Sequence, residues 1–112
     1  MLFRSATTLS LDETVKIINE LGGVAIPAHV DKSSYSIISN LGFIPHELEF
    51  STLEMKFPDR KTTFLNEHNL SGFNIIHNSD AHFLWDIHEK EFFIDIDTCS
   101  ARGIIDYLKQ KK

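Results

Sequence analysis

The chain has a single cysteine, Cys99, so no disulfide can close within it, and the sequence fits a reducing compartment. Long apolar runs are missing too. No stretch approaches the roughly 20 apolar residues of a membrane-spanning helix. Residues 1–10 carry one Arg and no apolar core of the kind that makes a secretory leader. These absences predict a cytoplasmic protein with no membrane segment. Positive charge is also short: 11 Lys and Arg stand against 16 Asp and Glu, a net charge of −5. Neutralising a nucleic-acid backbone needs clustered Lys and Arg, so the composition argues against direct nucleic-acid binding. The only dense basic cluster in the sequence is the tail Lys109, Lys111 and Lys112, which suits a helix C-terminus complementing its own dipole. There is no internal repeat, low-complexity segment, Gly-rich phosphate loop or Ser nucleophile elbow.

What is present is ordinary globular material. The 112 residues suit one domain spanning 1–112, and a hydrophobic fraction of 42% with nine Phe supplies one packed core. Ser10-Leu11-Asp12-Glu13 reads as a capping box, with Ser at the N-cap and Glu three residues on. A helical stripe of Leu11, Val15 and Ile18 follows, and Gly22-Gly23 ends it. Val24 to Ala28 is a short apolar run suited to a buried parallel strand, with Pro27 where the ladder can spare a donor.

Further elements are expected along the chain. Helices are predicted over Ser33 to Asn40, from Pro58-Asp59 to Ser71-Gly72, and over Ser100 to Lys111, the last weakened by Gly103. Strands are predicted over His46 to Phe50, Phe73 to His77 and Phe92 to Ile96. Helices alternating with strands in this order imply an α/β fold with a mostly parallel sheet. Residues 1–10 read as a connecting loop that has lost what came before it.

In parallel sheets, chemistry gathers beyond the C-terminal strand ends. That rule selects His29 after the first apolar run, and Asp80 and His82 after the third. Imidazole and carboxylate donors of this kind suit zinc, manganese or iron. The residues alone leave an alternative open: Asp80 as a turn cap, His82 as a hydrogen-bonded half-buried ring, and His29 as a polar strand end. Asp86-Ile87-His88 repeats the Asp-x-His spacing but follows Trp85 in a loop, and reads as surface. Glu49 closes the His46 to Phe50 run and reads as a solvated rim residue, with a substrate contact as the other reading. His77 either orients a ligand or caps its strand. His46 and His68 read as structural, Asp31 as a helix start, and Cys99 lacks a basic partner that would make it a nucleophile.

At these residues the chain resembles a known family. Gly22-Gly23-Val24-Ala25-Ile26-Pro27-Ala28-His29 is similar to the third motif of PHP (polymerase and histidinol phosphatase) domains, and Asn78-Ser79-Asp80-Ala81-His82 to the fourth. The resemblance covers most of residues 8–97. It implies a fragment of a distorted, TIM-like βα barrel and a divalent-metal centre with His29, Asp80 and His82 as ligands. It also implies hydrolysis of phosphate esters by a metal-activated water, with Asp80 as the carboxylate that holds metal and polarises that water. Substrates would be phosphorylated small molecules or nucleotides.

The departure from the family bears on activity. PHP domains open with a His-x-His motif, and this chain has no His-x-His and no His before His29. The resemblance therefore implies the C-terminal half of the domain, with an incomplete metal site and little activity alone. Two other readings remain: a non-catalytic module that pairs with itself or with a separate N-terminal half, and a PHP domain attached to a DNA polymerase.

Overall fold

The computed structural model describes residues 8–110. The expectations for residues 1–7 and for Lys111 and Lys112 lie outside them. Helix α1 spans Leu11–Glu20, and its capping box is formed as the sequence predicts: Glu13 N donates to Ser10 Oγ at 3.1 Å, and Ser10 N donates to Glu13 Oε1 at 3.3 Å. Val15 is its buried residue. Next come α2, Ile37–Leu41; β1, Thr52–Met55; α3, Lys61–Glu67; β2, Asn74–His77; and α4, Ala101–Lys109. The fold is a small mixed α/β domain. Among the described residues the sheet has two strands, β1 and β2, paired in parallel with Thr52 opposite Asn74 and Met55 opposite His77.

Several expected strands resolve differently. Val24 to Ala28 runs beside β1 without a regular ladder. The Pro27 carbonyl accepts from Glu54 N at 3.1 Å, and Val30 N donates to the Glu54 carbonyl at 2.8 Å. A regular parallel bridge would return at residue 29. One extra residue is accommodated there, and His29 takes a positive φ of 31°. His46 to Phe50 is not a strand. Pro45 fixes the entry to a 3₁₀ turn over His46–Leu48, Glu49 leaves it in the left-handed region, and the strand begins at Thr52. Phe92 to Ile96 carries no ladder either; Phe93 is 79% exposed.

The core is compact in membership: Val15, Val30, Phe50, Leu53, Met55, Phe64 and Leu70. Leu53 and Met55, two apart on β1, are fully buried. The beginning of the sheet is closed by α4. The buried, register-paired Thr52 and Asn74 send side-chain donors to the terminal carbonyls of α4 at Leu108, Tyr107 and Gln110, satisfying groups a helix end leaves orphaned. The opposite, C-terminal end of the sheet is left open, and the candidate site lies there. No helix among the described residues is long and apolar enough to cross a membrane.

Candidate functional site

Three chain segments leave the C-terminal end of the sheet together: 29–32 after the extended run, 56–60 after β1, and 78–82 after β2. Glu54 ties two of them from the middle of β1. Its Oε1 accepts from His29 N at 3.0 Å and its Oε2 from Asn78 Nδ2 at 2.7 Å. Asp31 ties the third. It is 6% exposed, and its two oxygens accept from Lys56 N at 2.9 Å and Phe57 N at 2.7 Å. Asp31 is therefore a buried brace rather than the start of a helix, since α2 begins six residues later behind its own cap, Ser36.

On this frame His29 and Asp80 face each other, Nε2 to Oδ1 at 3.9 Å. Both hold positive φ, 31° and 53°, a conformation that costs a non-glycine residue about 1 kcal/mol and that clusters at functional positions. The other Asp80 oxygen, Oδ2, accepts from Lys32 Nζ at 2.9 Å. This bond, then the nearby His29, Lys32 and His82, hold the Asp80 carboxyl below the usual carboxylate range against the opposing pull of burial. His82 lies 2.8 Å through Nδ1 from the Asp80 carbonyl oxygen. A carbonyl only accepts, so the proton sits on Nδ1 and the lone pair of the neutral ring is left on Nε2. That is the tautomer an imidazole ligand needs.

Do these residues fit a divalent cation? Neighbouring donors about 2.1 Å from a tetrahedrally held cation lie about 3.4 Å from one another; at 3.9 Å, His29 and Asp80 would have to close by about 0.5 Å to share one. Asp80 already attracts a cation, the Lys32 ammonium. The buried His29 Nδ1 has no hydrogen-bond partner among the described residues. The donor types therefore fit, and two of the three come within a small adjustment of the distance needed. Among the described residues, however, no group of three or more His, Cys, Asp or Glu is arranged to hold a metal ion.

The remaining sequence candidates scatter. His77 ends β2 with its ring 5.0 Å from that of Phe92 and its Nδ1 buried without a partner among the described residues. Burial first, and Lys61 second, lower its pKa, while Asp31 opposes them. Glu49 precedes β1 and so sits at the opposite end of the sheet from the His29–Asp80 pair. His46 opens the 3₁₀ turn beside it, and His68 packs its ring 4.5 Å from Phe64. Asp86 and His88 are exposed, with His88 6.1 Å from the Phe92 ring; Cys99 is exposed. Sequence reasoning missed Glu54 and Lys32. Glu54 carries a weak signal, an acid between the apolar Leu53 and Met55. Lys32 carries none, because its partner lies 48 residues away.

No family model, curated protein or solved structure matches the chain.

Proposed function

We propose that this chain is part of a metal-dependent phosphoesterase of the PHP type, contributing His29, Asp80 and His82 to a divalent-metal centre for zinc, manganese or iron. The observation that supports it is the meeting of His29 and Asp80, from loops 51 residues apart in sequence (29 and 80), at 3.9 Å. A divalent cation held there would supply Lewis acidity, making a water more acidic and offsetting phosphoryl charge. The chain's own residues do the rest. Asp80 and His29 would hold the cation, and Glu54 keeps both loops in register. His82 is prepared in the ligand tautomer by the Asp80 carbonyl. Val24 to Ala28, β1 and β2 form three neighbouring rungs of a distorted βα barrel in this reading. Three donors do not build a multinuclear centre, so further ligands come from another segment or chain. Turnover by these residues alone is accordingly slow.

Hydrolysis of a simple phosphomonoester with added Mn²⁺ or Zn²⁺ tests the reading. Weak, metal-dependent turnover that disappears in Asp80→Ala is expected. Robust turnover lost in the same variant would overturn the incomplete centre, and turnover indifferent to Asp80 would overturn the site itself.

A second reading rests on a separate observation. The loop after the site exposes Phe83, Leu84, Trp85 and Ile87 at 59%, 82%, 81% and 62%, and apolar exposure of this extent marks association surfaces. On that reading the chain is a self-associating or partner-complementing module.

A further inference from the structure

The tail Lys109, Lys111 and Lys112 is the only dense run of basic residues in the sequence, yet folding assembles a second cationic feature beside the candidate site. A cleft of about 440 Å³ opens between the 30–33 loop and the 57–60 turn, within the roughly 300–1,000 Å³ of small-molecule sites. Lys32, Ser33 and Arg60 are among the residues that line it. Both cations are held in place. Lys32 is anchored by Asp80 at 2.9 Å. The Arg60 guanidinium lies 5.7 Å from the centre of the Phe57 ring, and Lys56 Nζ lies 5.9 Å from the same ring. The backbone of Lys56 and Phe57 is in turn pinned by the two Asp31 oxygens. Asp31 is the acid in the cleft lining; its charge remains, but both its oxygens are engaged by those N–H groups, and among the described residues it forms no ion pair with Lys32 or Arg60.

We propose that this cleft binds a phosphate group of a small-molecule ligand. Arg60 supplies the planar fork that matches phosphate oxygens two at a time, and Lys32 supplies a point charge reaching from the cleft to the Asp80 site. A nucleic-acid polymer is the wrong partner, because the chain as a whole carries 16 acids against 11 bases. The proposal rests on the phosphoesterase reading for what happens at the ligand's reacting end, but not for binding in the cleft itself.

The experiment is titration of the full chain with inorganic phosphate, without metal, followed by amide chemical shifts. Saturable shifts confined to 30–33 and 56–61 are expected, with a dissociation constant that rises with NaCl. Arg60→Gln and Lys32→Gln should each weaken binding by about tenfold, the scale of a charge-assisted hydrogen bond; Lys109→Gln, at the far end of the sheet, should leave it unchanged. Arg60 is exposed, so its replacement leaves the core intact. Absent saturation, affinity indifferent to Arg60, or tighter binding of a single-stranded oligonucleotide than of phosphate would each overturn the proposal. Phosphate binding that survives while metal uptake fails would remove the phosphoesterase reading and keep the cleft. Metal uptake without phosphate binding would do the reverse.

Discussion

Glu54 carries two hydrogen bonds to loops 25 and 24 residues away in sequence, His29 N and Asn78 Nδ2. Removing a charged acceptor from both loops at once should cost roughly 2 kcal/mol. Urea denaturation of Glu54→Ala should show that loss, with Glu54→Gln losing less because an acceptor remains. His77 sets a pH dependence. Its folded pKa lies below the ordinary value of about 6.5, so below that pH the unfolded chain binds more protons than the folded one. Stability should therefore fall as the pH drops from about 6.5 toward the lowered folded value. Denaturation midpoints across pH 5 to 8 should flatten in His77→Phe, an aromatic swap beside Phe92. Asp80 acts at lower pH. Its depressed pKa contributes stability that is present above the ordinary carboxylate value of about 3.9 and lost as the pH falls through the folded one. Of these residues, His29, Asp80 and His82 stand out in the sequence as candidates because an imidazole or carboxylate just past an apolar run is a local pattern, and the structure brings His29 and Asp80 to 3.9 Å. Lys32 and Glu54 do not, since their roles exist only after distant loops meet.

At the scale of elements, local signals carried as far as local chemistry decides. The Ser10–Glu13 box places α1 at its observed start, and Ser10→Ala should destabilise by about 1 kcal/mol in thermal or urea unfolding. Gly103 shows where a propensity argument fails. Read alone, it weakens α4, and alanine there should gain about 1 kcal/mol. In the fold, a Cβ at Gly103 would drive into the Thr98 carbonyl oxygen. Gly103→Ala should therefore lose stability, on the scale of about 1–3 kcal/mol for overpacking, and release the α4 carbonyls held by Thr52 and Asn74. The strand expected over His46 to Phe50 failed for a comparable reason. Its alternating Leu48 and Phe50 suggest a pleat, but Pro45 and the left-handed Glu49 bend the chain into a turn, and the strand's true centre contains the charged Glu54.

At the scale of the whole molecule, one end of the two-stranded sheet is closed by α4 and the other gathers the loops that carry His29, Asp80 and Lys32. Beyond those loops lies exposed apolar surface, including the Phe83 and Trp85 rings stacked 5.1 Å apart. If that surface mediates association, elution volume in size-exclusion chromatography should fall with rising protein concentration, and Trp85→Ser should restore the monomer position. A clean monomer at high concentration would remove the association reading. The parallel sense of the β1–β2 pair was expected from the alternation of elements, although β1 lies beyond the strand expected over His46 to Phe50; sheet width was not, because ladder formation by 24–28 and 92–96 depends on partners that no local pattern specifies.

Substoichiometric Mn²⁺ added to the isotopically labelled chain tests the central account most directly, because paramagnetic broadening reports which nuclei surround a cation. The rings of His29 and His82 and the amide of Asp80 should broaden together and first, and Asp80→Asn should abolish the effect. Broadening centred on Asp86 and His88, or on none of the histidines, would contradict it.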